Sequence, residues 1–503
     1  MKRSIRFVVL AAAAVLMGAP AAPAAVKLHA MFTDGAVLQR EVPLPVWGTA
    51  DDGEKVTVEF AGQKVSTVAK DGKWMVRLRP LKAGGPLAMT VTGANTVTVN
   101  NLLVGEVWIC SGQSNMGFTL NSAANAKEAI AKAADPMLRL LSVPRVTADA
   151  PLSTFTNAAW LECTSTSAAS FTAVGYFFGR DLRTALKVPV GLINTSWGGT
   201  PAEAWTSHEV LEANSVLKQI LADHAQAVAA YDPAKAEADY QKALAKFKTD
   251  AEKAKAEGKP APRGPSKSQS PTLKPQRPSA LYNAMIAPLL PYGIRGAIWY
   301  QGESNNGHAA QYRTLFPAMI ANWRQVWGEG DFPFLFVQIA PHQGMTPELR
   351  EAQLYSWQTT PKTAMAVITD VGEATDIHPK KKEPVGARLA LAARTLAYGE
   401  KIEYSGPVYA GMKTDGDRAI LSFAHVGGGL VAQDGALKGF TIAAAGTTNF
   451  VPAEAAIEGA TVVVRSPQME KPGAVRYGWA NVPDVNLFNR EGLPATPFRT
   501  DAP

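Results

Sequence analysis

The chain is poor in the features that mark several common classes of protein. It has two cysteines and seven histidines among 503 residues. The histidines form neither an H-E-x-x-H motif nor another paired spacing of metal ligands, so no metal site is predicted. No arginine-rich stripe of the kind that binds nucleic acid is present, and there is no internal repeat of solenoid type.

Long hydrophobic runs are also missing after the first segment of the chain. Three basic residues precede an apolar run at 7–17, and the small residues Ala22, Pro23 and Ala24 follow it. This pattern predicts a signal peptide over residues 1–24, cleaved after Ala24, and a periplasmic or secreted protein. The run is too short to span a bilayer, so no membrane association is expected. Cleavage lowers the net charge from +7 to +4.

The scarcity of cysteine leaves one question open. Two cysteines in an exported protein can form a disulfide. Cys110, however, lies in an apolar run predicted to be a buried strand, where a free thiol also fits as an apolar side chain. The sequence does not decide whether Cys110 and Cys163 pair.

The pattern of apolar residues divides the chain into regions. At this length two to four domains are expected. Residues 25–104 alternate with period two between short turns, which predicts an N-terminal β-sandwich. The alternation returns at 401–503 and predicts a C-terminal β region. Residues 105–400 have a different pattern.

In this middle region, strand-like apolar runs alternate with helical patterns. Such alternation predicts a mostly parallel sheet covered by helices on both faces. Strands are predicted at 102–110, 188–194, 294–300, 334–339 and 364–369, and helices at 174–186, 312–327 and 385–396. An insertion at 209–278 interrupts the alternation: it is predicted to be exposed helix through Ala256 and a proline-rich tether from Gly258.

Ser114 stands where the first predicted strand of the sheet ends. The apolar run 102–110 changes abruptly into small and polar residues, as when a buried parallel strand delivers a side chain to the carboxyl edge of a sheet. Ser114 there fits a nucleophile or a simple helix cap. Met116 replaces the second glycine of Gly-x-Ser-x-Gly, which disfavours an ordinary α/β-hydrolase.

Three further polar stretches follow predicted strand ends. They contain glycine amides, a carboxamide, carboxylates and an imidazole, which is the inventory that acyl transfer requires. The stretches are Trp197-Gly198-Gly199-Thr200-Pro201, Tyr300-Gln301-Gly302-Glu303-Ser304-Asn305 and Asp376-Ile377-His378-Pro379.

These motifs resemble those of the sialate O-acetylesterase-like branch of the SGNH (GDSL-type) hydrolases. Further matches lie at 43–48 in the first β region and at 492–501 near the end, so the resemblance covers nearly the whole mature chain. It implies a flavodoxin-like three-layer α/β/α catalytic domain at 105–400 and no cofactor. It also implies that Ser114 is the nucleophile and His378 the general base, with the Ser114 amide, Gly198 or Gly199, and Gln301 as oxyanion donors.

The acid of the triad stays open between two carboxylates. The family usually places it three residues before the histidine, where this chain has Thr375. Asp376 is two residues before His378 and would point to the same side in an extended segment. Related carbohydrate esterases suggest Glu303 instead. Asp376 is preferred, with Asp370 as a distant third candidate.

The expected activity is removal of acetyl groups from an acetylated carbohydrate through an acetyl-enzyme. The alternatives are a glycan O-acetyltransferase and a sugar-binding protein with a decayed site. Lys380, Lys381 and Lys382 fit either attraction of a sialic acid carboxylate or a solvated turn. Aromatic and amide side chains near the motifs are candidates for sugar binding: Trp197, Trp205, Trp299 and Asn305. The three tryptophans fit packing in the core equally well. The sugar and the oligomeric state are not predicted.

Overall fold

The structure is a computed structural model that describes residues 25–501. The predicted signal peptide, residues 1–24, lies outside this range. Between residues 25 and 501, no helix is long and apolar enough to cross a membrane.

The N-terminal region consists of short, mostly antiparallel strands. β1 pairs with β3 and β3 with β6, while β4 pairs with β5 and β7. In β4 the residues Val56, Val58 and Phe60 are buried and their neighbours are not, which is the predicted period of two. The strands are β1 (Lys27–Leu28), β2 (Val37–Gln39), β3 (Leu44–Thr49), β4 (Lys55–Phe60), β5 (Gln63–Val68), β6 (Lys73–Leu78) and β7 (Gly84–Thr92).

One long strand, β8 (Thr96–Gly112), continues from this region into the centre of the molecule. Its first half pairs with β7 and β2. Its second half is the middle strand of the main sheet. The boundary predicted between residues 104 and 105 therefore falls inside a continuous strand.

The main sheet runs in the order β10-β9-β11-β8-β12-β13-β14. All neighbouring pairs are parallel except β10 with β9. Parallel neighbours bring the carboxyl ends of their strands to one edge, which is where polar residues follow β8, β11, β12 and β14. The additional strands are β9 (Asp135–Ser142), β10 (Leu161–Cys163), β11 (Val190–Ser196), β12 (Gly296–Tyr300), β13 (Phe334–Val337) and β14 (Thr363–Ala366).

Helices pack against both sides of this sheet. Trp108 of β8 contacts Phe178 of α4 at a ring distance of 5.1 Å. On the other side, Phe316 of α8 lies 4.9 Å from Phe336 of β13. The α-helices are α1 (Ser114–Gly117), α2 (Ala126–Ala131), α3 (Ser165–Ser170), α4 (Ala173–Leu186), α5 (His208–Ala213), α6 (Lys218–Ala229), α7 (Pro233–Ala256), α8 (Ala309–Trp327), α9 (Pro347–Thr359) and α10 (Glu383–Leu396). Single 3₁₀ or π turns occupy Leu120–Ser122, Ala202–Trp205, Pro271–Leu273, Tyr282–Ile286, Ala287–Leu289 and Glu303–Asn305.

The C-terminal region has its own core and three small sheets. Their orders are β15-β16-β21-β20, β17-β23 and β19-β18-β22-β24. The strands are β15 (Val408–Asp415), β16 (Arg418–Ala424), β17 (Leu430–Ala432), β18 (Phe440–Ala444), β19 (Val451–Pro452), β20 (Glu454–Glu458), β21 (Thr461–Arg465), β22 (Pro472–Tyr477), β23 (Leu487–Asn489) and β24 (Phe498–Arg499).

Two open points of the sequence are answered by this fold. Cys110 and Cys163 are both buried and unpaired, so they form no disulfide here. The insertion contains α6 and the exposed helix α7, followed by residues without regular structure at 259–270, as its composition predicted.

Candidate active site

Ser114 is held in place by a sharp turn at the end of β8. Gly112 has φ +132°, and a side chain there would lie 2.3 Å from the carbonyl oxygen of Tyr300, so only glycine fits. The chain then turns directly into α1, which begins at Ser114. The hydroxyl therefore emerges at the carboxyl edge of the sheet.

His378 reaches this hydroxyl from the loop between β14 and α10. Its Nε2 lies 2.8 Å from the Oγ of Ser114, a hydrogen-bond distance. The two residues are 264 positions apart in the sequence, and only the parallel arrangement of β8 and β14 brings their loops to one edge. A serine and an imidazole in this geometry can act chemically as a nucleophile and its base.

The pKa of His378 is lowered from its ordinary value. Partial burial of the ring is the largest cause, and the positive charge of Lys382 adds to it, while Asp376 acts in the opposite direction. The imidazole is therefore biased toward its neutral form, which is the form able to accept a proton from Ser114.

Asp376 is the carboxylate next to the His378 ring. Its Oδ1 accepts a hydrogen bond of 2.9 Å from the backbone N–H of His378 and lies 3.8 Å from Nδ1. Asp370, the third candidate, is engaged elsewhere, because both of its oxygens accept hydrogen bonds from Arg388.

Glu303 lies behind the nucleophile and contacts its two chain neighbours. One carboxylate oxygen accepts a hydrogen bond of 2.7 Å from Gln113, and the other accepts one of 2.6 Å from Asn115. Burial raises the pKa of Glu303, while a backbone hydrogen bond, the Asn115 amide and the charge of Lys382 act in the opposite direction. Neither oxygen is paired with the His378 ring.

Within the lysine run, Lys382 fits neither the interpretation as a solvated turn nor that as a surface charge for sialic acid. The side chain is fully buried, whereas Lys380 and Lys381 are exposed. Its Nζ donates to Oδ1 of Asn115 and lies 4.8 Å from the ring of Phe118 and 5.2 Å from that of Tyr300. Burial lowers its pKa to about 7. Lys382 is thus part of the interior behind Ser114 and not of a solvated turn.

The loop after β11 passes beside Ser114. A side chain at Gly198 would lie 3.2 Å from Cβ of Ser114, so glycine permits this close approach. Within residues 25–501, the amides of Ser114 and Gly198 donate to no other backbone or side-chain group. Both are therefore free to bind an oxyanion. Gly199 has φ +71°, and its carbonyl accepts a hydrogen bond from Gln276 of the insertion.

Gln301 is fully buried beneath this loop. Its amide donates to the carbonyl of Thr200 at 3.3 Å and to Asn305 at 2.6 Å. Its Oε1 accepts from Tyr312. Both amide hydrogens are engaged, so in this arrangement neither is available for the oxyanion.

The residues predicted to bind sugar differ in their exposure. Trp197 is partly exposed next to Gly198. Trp205 is fully buried, donates to Thr200 and meets Trp299 edge to face, so its ring has no open side for stacking. Asn305 is buried, and its Oδ1 accepts a hydrogen bond from the backbone N–H of Ala202. This contact connects two loops and is structural.

The contacts of three residues around Ser114 were not predicted from the sequence, where Lys382 was considered only as one of three consecutive lysines. Gln113 and Asn115 flank the predicted nucleophile, and that adjacency could have drawn attention to them. Lys382 offered no such indication, because a run of three lysines is typical of an exposed segment. Between residues 25 and 501, no three histidine, cysteine or acidic residues are placed to hold a metal ion.

Similarity to known proteins agrees with this geometry. The profile of the family described as "Carbohydrate esterase, sialic acid-specific acetylesterase" matches residues 270–395. Human sialate O-acetylesterase is 32% identical over 444 residues, covering 79% of this chain and 76% of the human protein. The rat enzyme is 34% identical over 417 residues, covering 74% of each chain. The chain belongs to the sialate O-acetylesterase family.

A solved structure extends the comparison to the whole fold. A carbohydrate acetylesterase from Xanthomonas citri superimposes with a TM-score of 0.81 at 38% identity, covering 95% of this chain and 100% of that one. Together with the family assignment, this makes the protein a carboxylic ester hydrolase.

Proposed function

We propose that the protein is a serine carbohydrate O-acetylesterase that removes acetyl groups from sugar hydroxyls through an acetyl-enzyme. The observation that carries the proposal is the 2.8 Å contact between Ser114 Oγ and His378 Nε2 at the carboxyl edge of the main sheet. The six parallel strands with helices on both sides support assignment of residues 105–400 to the SGNH hydrolases, with a β-sandwich-like region before and after them.

In the first half of the reaction, Ser114 Oγ attacks the acetyl carbonyl carbon while its proton passes to His378 Nε2. The Ser114 and Gly198 amides hold the negative oxygen of the tetrahedral intermediate. The intermediate then breaks its bond to the sugar oxygen, which takes the proton from His378 and leaves as a free hydroxyl.

In the second half, a water molecule attacks the acetyl-enzyme and gives a proton to His378. The new tetrahedral intermediate breaks its bond to Ser114, which regains that proton, and acetate is released. Throughout, the charge of Asp376 stabilises the imidazolium that forms on His378. No cofactor takes part in these steps.

The partner is an acetylated carbohydrate. Human and rat relatives are sialate O-acetylesterases, and the Xanthomonas citri protein is a carbohydrate acetylesterase. The partly exposed Trp197 beside Gly198 offers a surface for a sugar ring. Export to the periplasm or beyond is proposed from the basic and apolar pattern of residues 1–24.

Acetate release from acetylated xylan, xyloglucan oligosaccharides and O-acetyl sialic acid tests the proposal. Ser114→Ala is expected to lower kcat at least ~10³-fold, because the covalent route is lost. The matched control is Ser111→Ala: Ser111 is buried and donates to the carbonyl of Thr195. An active Ser114→Ala variant would disprove the assignment of the nucleophile.

A further inference from the structure

Behind Ser114 lies a buried polar cluster formed by Gln113, Asn115, Glu303 and Lys382. All four side chains are at most 8% exposed. Gln113 and Asn115 each donate to one oxygen of Glu303, and Lys382 donates to the oxygen of the Asn115 amide. The four residues come from three segments: Gln113 and Asn115 from the end of β8 and α1, Glu303 from the turn after β12, and Lys382 from the start of α10.

This cluster is connected to both reacting residues. Gln113 and Asn115 are the chain neighbours of Ser114. The Asn115 amide also donates a hydrogen bond of 2.9 Å to the carbonyl of Ile377, the residue before His378. Asn115 therefore joins the segment that carries the nucleophile to the segment that carries the base.

We propose that Lys382 is a positioning residue for ester hydrolysis. It holds Asn115 and balances the buried charge of Glu303, and so keeps Ser114 and His378 within hydrogen-bond distance of each other. The inference rests on the proposed roles of Ser114 and His378. Lys382 itself touches neither the hydroxyl nor the imidazole and takes no part in proton transfer.

The direction of the Lys382 contact explains why a hydrogen-bond donor is needed at this position. The Asn115 amide has one oxygen and two hydrogens, and both hydrogens are given to Glu303 and Ile377. A donor must then face its oxygen, and Lys382 supplies it. Glu303 is buried, and the positive charge of Lys382 acts to lower its pKa, so removing Lys382 takes away this stabilisation of the carboxylate.

The charged groups around Lys382 and His378 predict how the pH dependence of kcat/KM changes when Lys382 is replaced. Lys382 and His342 lower the pKa of His378, and Asp376 raises it. Glu303, Asp376 and Glu373 act on Lys382. Removing the lysine charge therefore raises the pKa of His378, and the acidic limb of kcat/KM shifts to higher pH.

The test compares Lys382→Met with Lys381→Met on a neutral acetylated xylo-oligosaccharide. Lys382→Met is expected to lower kcat on the order of 10²-fold with little change in KM, because the reacting atoms lose alignment while the sugar contacts remain. Its acidic limb should move to higher pH. Lys381→Met removes an exposed charge one position earlier and should leave both quantities as in the wild type.

A double-mutant cycle with Glu303→Gln separates charge balance from general loss of structure. If Lys382 balances Glu303, the variant Lys382→Met/Glu303→Gln should be at least as active and as heat-stable as Lys382→Met alone, since the unpaired charge is gone. Additive losses of activity would overturn the coupling, and a Lys382→Met enzyme with wild-type kcat and pH profile would overturn the positioning role.

These outcomes are distinct from failure of the proposed function. An active Ser114→Ala variant would contradict the serine mechanism itself. An inactive Ser114→Ala together with a fully active Lys382→Met would leave the mechanism standing and reject only the inference about Lys382.

Discussion

Around Ser114, the two neighbouring carboxylates differ in what they contact. Asp376 lies beside the imidazole of His378, whereas both oxygens of Glu303 are occupied by Gln113 and Asn115. A carboxylate that holds a histidine in a triad needs access to Nδ1. The 3.8 Å separation between Asp376 and Nδ1 is long, but such contacts often tighten when substrate binds.

The contacts of Asp376 and Glu303 lead to a ranking of two isosteric substitutions. Asp376→Asn should lower kcat on the order of 10³–10⁴-fold, because the charge that stabilises the imidazolium is lost. Glu303→Gln should cost less, since it removes a charge behind the nucleophile without touching His378. Steady-state kinetics of both variants decides the matter, and the reverse order of losses in kcat would assign the acid to Glu303.

The lowered pKa of His378 predicts the pH range of the enzyme. In the proposed mechanism the neutral form of His378 accepts the proton of Ser114, so kcat/KM should fall only at pH values below the ordinary histidine pKa of about 6.5. Initial rates on a neutral acetylated oligosaccharide, measured between about pH 4.5 and 8, would show this fall in kcat/KM. The interval reaches about two units below the ordinary histidine pKa. A midpoint above the ordinary value would mean that protonation of His378 is favoured, contrary to the structure.

Secondary-structure elements with a continuous apolar pattern were predictable from the sequence. The predicted helices near 174–186, 312–327 and 385–396 are confirmed as α4, α8 and α10. Strands β12 and β13 were also found, because every residue in them is buried and apolar or glycine. The motif that follows β12 drew attention to Gln301 and Glu303 before their geometry was known.

Two elements in which polar residues interrupt the buried face, β9 and α9, escaped prediction. β9 contains Asp135, Pro136 and the buried Arg139, which interrupt its apolar run. Helix α9 buries Arg350 and Gln353, so its inner face does not have an apolar period. In the site, Lys382 escaped for the same reason: burial of a polar group depends on distant partners, which spacing along one chain does not reveal.

Arg350 gives a test at the level of helix α9. Its guanidinium donates to the carbonyls of Ala480 and Asn481 and so joins the main sheet region to the C-terminal region. Arg350→Met should lower the free energy of unfolding by about 1–3 kcal/mol, because two carbonyls lose their partner. Denaturant unfolding measures this loss.

The comparison variant for Arg350 is Gln358→Met, at an exposed position of the same helix. It should change the free energy of unfolding by no more than about 0.5 kcal/mol. Equal stability of the two variants would show that the Arg350 contacts do not hold the regions together.

For the molecule as a whole, the continuity of β8 determines how its parts cooperate. β8 belongs both to the N-terminal sheet and to the main sheet. If β8 unfolds, both sheets therefore lose a strand at the same time. Glu106 lies in the middle of β8, fully buried, and forms ion pairs with Arg40 and Arg295. Arg40 directly follows β2, and Arg295 directly precedes β12, so one carboxylate joins the two regions.

Glu106→Gln should therefore destabilise both regions in a single step. The substitution leaves two arginines without their buried partner, a loss on the order of 3–5 kcal/mol. Calorimetry of residues 25–503 should show a single unfolding transition for residues 25–400 in both the wild type and Glu106→Gln. In Glu106→Gln that transition should occur at a lower temperature. The exposed Glu59 of β4, paired with Lys64 of β5, supplies the control Glu59→Gln, which should leave that transition in place. A separate early transition for residues 25–104, with acetate release intact above it, would contradict the shared role of β8.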